Sequence, residues 1–205
     1  MFVPLHDGSR VLIRPIAPED SPSLRRFHRL LSPATVRDRF LSAKPRLSTN
    51  DLKYLTRVDH RDHVALVAVD PSRPERLLGV ARWVRDPARP ECAEAAFVVA
   101  DALQGTGLGS AFAIALADRA VEEGVASLNG SMLAGNTSSE ALFRRMGGEV
   151  TVQRAGITNE VTTTLPLHAG RLELLAHSRR LRPGRRTPVV RPAAGRPRRG
   201  TSVAA

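Results

Sequence analysis

The sequence predicts a single α/β domain, and three observations predict it. Short β-branched apolar runs of strand length alternate with longer amphipathic runs of helix length. Turn-forming clusters at 71–74 and 86–90 separate consecutive strand runs closely enough for hairpins. A strand run, a glycine loop and a long helical run follow one another directly over 94–123. The bulk numbers agree: 205 residues, 42% hydrophobic and 25% charged, are enough for one globular core. Collagen-like, disulfide-scaffold and wholly disordered chains are excluded. The longest apolar stretches, such as 111–117, are far short of the roughly 20 residues a bilayer span needs.

Taken in order, the first strand is expected at 10–13. Pro15 and then Ala17-Pro18-Glu19-Asp20 open a helix with acids in its first turn. Helical patterns continue through Leu31, over 33–41 and over 49–55, with Ser48 or Thr49 as the cap of the last. Strands are expected at 64–69, 77–84 and 94–100. A helix over 110–123 is stopped by Gly124, and a strand over 125–133 follows. Asn136 caps a helix ending at Met146, with Gly147 and Gly148 behind it. Segments 149–154 and 158–165 make a closing hairpin, and 171–181 is read as a last amphipathic helix. No repeat of solenoid length is present.

The net charge of +11 is unevenly placed. Nine arginines and no acid lie from Ser178 onward, so 22 bases and 20 acids remain in the rest of the chain. The expected organisation is therefore a nearly neutral domain over 1–177 and a disordered, basic Arg/Pro/Gly-rich tail over 178–205. A salt-sensitive contact of that tail with nucleic acid or an acidic protein is one expectation for it. The first ten residues contain no apolar signal core, and a single cysteine, Cys92, suits a reducing compartment, so a cytoplasmic protein is expected.

The chemistry begins at Gln104-Gly105-Thr106-Gly107-Leu108-Gly109. Alternate glycines between a strand and a helix let backbone amides cradle an anion at the positive helix end, so a phosphate-bearing ligand is expected. A dinucleotide fold would want glycine where Ser110 stands and an acid about 20 residues on, but the next strand ends Ser131-Met132-Leu133. A nucleotide-triphosphate loop would end in Gly-Lys-Ser/Thr, which is absent.

The loop resembles the signature of the GNAT superfamily of acyl-CoA-dependent N-acyltransferases at every place. A second family segment, an asparagine leading into a helix that ends in glycine, is matched from Asn136 to Gly147. Within the superfamily the chain looks most like the catalytic domain of bacterial protein lysine acetyltransferases. That likeness rests on Ile13-Arg14-Pro15-Ile16 with Pro18-Glu19-Asp20, on Arg39-Phe40 and on the run from Ala93 to Val99. Cyclic-nucleotide control, which accompanies an extra domain in such enzymes, is not carried over. The resemblance implies a mixed, mostly antiparallel sheet flanked by helices, splayed between 94–99 and 125–133 where acetyl-CoA enters.

By the same resemblance, the amides from Gln104 to Ser110 grip the pyrophosphate, Asn136 and Phe143 touch the cofactor, and Glu94 is the general base. A strand amide at Val98 or Val99 would stabilise the oxyanion of the tetrahedral intermediate. A base is needed because a lysine of pKa about 10.4 is neutral in roughly one molecule in 2,500 at pH 7, a cost of about 4–5 kcal/mol. The implied function is acetyl transfer to a primary amine, a protein lysine first, with a small amine or a protein amino terminus as other acceptors. The alternative is a silent acyl-CoA sensor or a nucleic-acid-binding module. The sensor is permitted because Phe143 stands where many relatives place a proton-donating tyrosine. Tyr54, the only tyrosine, has no sequence reason to be at the site. His60 and His63 form a loose cluster without further ligands, Cys92 is read as inert, Arg144 and Arg145 as a solvated helix face, and no metal is expected.

Overall fold

The computed structural model describes residues 1–155 and 158–167. The elements are β1 (Phe2–Pro4), β2 (Arg10–Pro15), α1 (Ser21–Leu30), α2 (Pro33–Phe40), α3 (Thr49–Thr56), β3 (His63–Asp70), β4 (Arg73–Asp86), β5 (Arg89–Val99), α4 (Leu108–Glu122), β6 (Ser127–Leu133), α5 (Thr137–Arg145), β7 (Glu149–Ala155) and β8 (Thr158–Pro166). The helix expected over 171–181 and the basic stretch 178–205 lie outside the described residues.

Eight strands form one sheet in the order β1-β2-β3-β4-β5-β6-β8-β7. Every pairing is antiparallel except β5 with β6. That one parallel pair needs a crossover, and α4 supplies it. Helices cover both faces. Trp83, Phe112, Leu116 and Phe143 belong to the core on the α4–α5 side, and Phe27, Leu52, Val67 and Val80 to the core on the side of α1 and α3. Being covered on both sides, β3 is buried at six consecutive positions and reads as an unbroken apolar run rather than an alternation.

Local chemistry sets the helix boundaries. Arg14 forks onto Asp20 with two bonds of 2.7 Å, and the same carboxylate accepts the Ala17 amide, fixing the entry to α1. Burial pushes the Asp20 carboxyl up, but these bonds outweigh it and hold it below its ordinary range. Ser32 caps α2, and Ser48 with Asp51 forms a capping box on α3, choosing Ser48 over Thr49.

One strand escapes the sequence pattern. β1 is three residues long, with Phe2 57% exposed and Pro4 at its end, so it carries no alternation of its own. It exists as an edge strand because Val3 lies opposite Val11 of β2.

Candidate active site

The site is built where two strands part. β5 and β6 pair only at Cys92–Ser127, Ala93–Leu128 and Glu94–Asn129. Beyond that rung β5 runs on to Val99 beside β4, and β6 runs on to Leu133 beside β8. The sheet is therefore splayed from Ala95 onward, as the resemblance implies. The wedge on the α4–α5 side is apolar. Phe97 and Phe143 meet edge to face at 6.2 Å beside a cavity of about 10 Å³ lined also by Ala95, Leu142 and Met146.

The direction of the free amides follows from register. Ala100 donates to Leu78 across the β4–β5 ladder, and Val98 stands opposite Val80 in the same phase. In an antiparallel ladder such pairs alternate, so the Val98 amide is spent on β4 while the Val99 and Phe97 amides face the gap. Of the two expected oxyanion donors, Val99 therefore has its amide on the side of the gap and Val98 does not.

The glycine loop leads from the end of β5 into α4. Gly105 and Gly107 have φ of 76° and 94°, a left-handed conformation that side chains resist. Gly107 is the N-cap of α4, whose first amides, those of Leu108, Gly109 and Ser110, have no acceptor within the helix. With the macrodipole behind them they form an anion cradle. The loop is braced from three sides. The His6 amide donates to the Thr106 carbonyl, the Thr106 hydroxyl donates to the Leu103 carbonyl, and Gln104 Nε2 donates to Thr35 Oγ1 at 3.1 Å. Asp101 in turn accepts from the Ser32 amide and from the hydroxyls of Ser32 and Thr35. These bonds lock α2 to the end of β5.

Glu94 is exposed and stands on the last β5–β6 rung, at the fork of the splay. Arg82 of β4 lies directly opposite Ala96, so Glu94, Ala96 and Val98 share a sheet face with Arg82, on the α1–α3 side. Asn136 caps α5, its Oδ1 accepting from the Ser139 amide. Phe143 is 6% exposed and its Cζ abuts Gly130 of β6, where a Cβ would lie 2.8 Å from it. That ring atom is where a tyrosine would carry its hydroxyl, so this position packs the wedge.

Several residues take structural parts. Asp59 Oδ1 accepts three backbone amides, those of Arg61, Asp62 and His63, and His63 Nε2 meets Arg82 at 3.1 Å. An arginine can only donate, so that nitrogen is an acceptor and the ring is neutral. Burial, then the Arg82 charge, pushes the His63 pKa down to about 4. Cys92 sits at the far end of β5 and receives the Ser127 hydroxyl at 3.3 Å. Arg144 is engaged by Glu140 on its own helix.

One residue has no counterpart in the sequence expectations: Arg82 is buried on the face of the general-base candidate. Tyr54 of α3 is exposed and makes a tilted ring contact with His63 at 5.0 Å. The apolar run of 77–84 offered a signal for Arg82, a charge at a position whose neighbours are all apolar.

Comparison with known proteins gives a consistent result. A family described as an acetyltransferase (GNAT) domain matches residues 10–149. An acetyltransferase of Pseudomonas aeruginosa is 33% identical over 144 residues, which are 70% of this chain and 77% of that protein. The GNAT domain of S. lividans PAT superposes with a TM-score of 0.73 at 29% identity, covering 82% of this chain and 96% of that one. A GNAT-superfamily phosphinothricin acetyltransferase of Sinorhizobium meliloti, solved in complex with acetyl-CoA, shares the fold at a TM-score of 0.64 and 17% identity, over 77% and 88% of the two chains.

Proposed function

The chain belongs to the GNAT acetyltransferase family, and from that premise we propose that it moves the acetyl group of acetyl-CoA to a primary amine, a protein lysine first, with Glu94 as general base. The observation that carries this reading is the position of Glu94: an exposed carboxylate on the last rung before the strands part. The lysine preference is supported by the likeness to bacterial protein lysine acetyltransferases.

The residues fit the cofactor. Amides of Leu108, Gly109 and Ser110 at a helix N-terminus suit a pyrophosphate, the positive-φ glycines keep side chains off it, and the unpaired β5 edge offers amides to an extended amide-bearing arm. Gln104 and Thr106 contribute by bracing the loop, and Asn136 and Phe143 by holding α5 against the wedge. Acetyl-CoA supplies an activated thioester carbonyl, whose carbon–sulfur bond is exchanged for a carbon–nitrogen bond.

The chain's own residues do the rest. Glu94 accepts the ammonium proton, directly or through water, and its exposure lets that proton reach solvent. The Val99 amide, with Phe97 beside it, donates to the carbonyl oxygen as negative charge develops there. Phe143 has no proton to give, so the departing thiolate takes one from solvent.

The test is steady-state turnover of a lysine-bearing peptide. Glu94→Gln is expected to lower kcat/KM at neutral pH by about tenfold or more while the acetyl-CoA KM holds. Raising the pH toward the lysine pKa is expected to restore much of the loss, since the free amine then forms unaided. A fall of less than about twofold at neutral pH would remove Glu94 from the mechanism.

A further inference from the structure

Arg82 is 5% exposed, yet no carboxylate among the described residues pairs with it. One terminal nitrogen meets the neutral His63 ring, the other donates to the Leu55 carbonyl at 3.2 Å, and Nε has no partner. Arg39 of α2 lines the same cavity, its guanidinium 5.1 Å from the Phe40 ring centroid, and it too lacks an ion pair among the described residues. Burial, and then repulsion from Arg39, pushes the Arg82 pKa down to about 9. The cavity holds about 30 Å³ and is otherwise walled mainly by apolar groups such as Phe27, Phe40 and Val98. His28 Nε2, buried and unpartnered, also belongs to its wall.

A buried guanidinium at Arg82, with the half-buried Arg39 on the wall of the same cavity and no anion paired to either among the described residues, is a costly arrangement. Neither is needed to fill space as a charge, because a methionine or leucine would pack there without desolvation cost. The arrangement is balanced if a ligand brings the anion. Arginine forks match a carboxylate in shape as well as charge. The position is also right for an acceptor. Arg82 and Glu94 are diagonal neighbours on one sheet face, their backbones about 7–8 Å apart, so one small molecule or two adjacent side chains can reach both. The charge of Glu94 in turn acts on Arg39.

We propose that this cavity is an acceptor subsite in which Arg82 and Arg39 bind a carboxylate a few bonds from the amine presented to Glu94. The proposal rests on the reading of the chain as an amine acetyltransferase and narrows its substrates to amines with a neighbouring carboxylate. That carboxylate belongs either to a free amino acid or to an acidic residue beside the acceptor lysine of a protein.

The first test does not depend on turnover. Glutarate and its neutral isostere glutaramide are titrated at constant ionic strength against the wild-type chain, Arg82→Met and Arg39→Met, reading thermal midpoints. Glutarate is expected to stabilise the wild type saturably, by about 3 °C or more at ten times its dissociation constant, and glutaramide is not. Each variant is expected to lose the glutarate shift, and having two variants guards against one that fails to fold. Equal shifts with both probes, or a glutarate shift that survives in a folded variant, would overturn the subsite.

The second test separates the sources by acetylation rates. One arm compares free amino acids with their amides, and the other compares peptides bearing Glu-Lys with the same peptides bearing Gln-Lys. The proposal expects a preference of about tenfold or more for the carboxylate form in one arm, collapsing in Arg82→Met. A preference below about twofold in both arms overturns the acceptor role. Acetyl-CoA binding without acetylation of any amine overturns the enzymatic reading instead, and the glutarate titration then still decides the anion site.

Discussion

Replacing Gly107 with aspartate is expected to weaken acetyl-CoA binding by about a hundredfold or more, a loss near 2.7 kcal/mol. Gly107 has φ of 94°, where an L side chain costs roughly 1–2 kcal/mol. A Cβ there would also lie 2.8 Å from His6 Nε2, pressing on the turn that braces the loop. The new carboxylate would stand among amides otherwise offered to a pyrophosphate, so like charges would compete for one cradle. Gly124 separates strain from site. It too has positive φ, 74°, but a side chain there meets open space beyond the other end of α4. Gly124→Asp should carry a similar backbone cost and leave calorimetric acetyl-CoA affinity within about threefold of wild type. Equal losses in the two variants would mean that the loop does not hold the cofactor.

Trp83→Ala is expected to cost about 3–5 kcal/mol of stability. Trp83 is fully buried in the middle of β4, between Val64 of β3 and Ala95 of β5, and it packs into the core beneath α4 and α5. Against a typical total of about 5–15 kcal/mol such a loss is a large fraction, and it corresponds to a fall of about 6–20 °C in Tm. Val121→Ala, at a position 39% exposed on α4, should stay within about 0.5 kcal/mol. Urea melts of both variants check the pair. A Trp83 variant as stable as the Val121 one would contradict the assignment of the core.

The elements most legible in the sequence were those whose signals are local. Ser32, Ser48 and Asn136 mark helix starts by side-chain caps, Gly107 marks the start of α4, and Gly124 and Gly147 mark helix ends by positive φ, so α2 to α5 fall close to where spacing and caps put them. The glycine loop was legible because its positive-φ turns at Gly105 and Gly107 leave few residue choices. Features that depend on partners distant in sequence were not. β1 exists through Val11, and β8 lies between β6 and β7 because long-range pairing orders the sheet. The choice of Val99 over Val98 depends on the phase of a ladder. Arg82 meets the Leu55 carbonyl of α3 and the His63 ring of β3 from β4, 27 and 19 positions apart, which no window of sequence reveals.

Amine-dependent release of CoA thiol by the wild-type chain, measured alongside mass spectrometry of the acceptor, is the decisive assay for acetyl transfer. The predicted result is release stimulated by lysine-bearing peptides or proteins, in step with acetyl groups appearing on their amines. Tight acetyl-CoA binding with no release in the presence of any amine would contradict it.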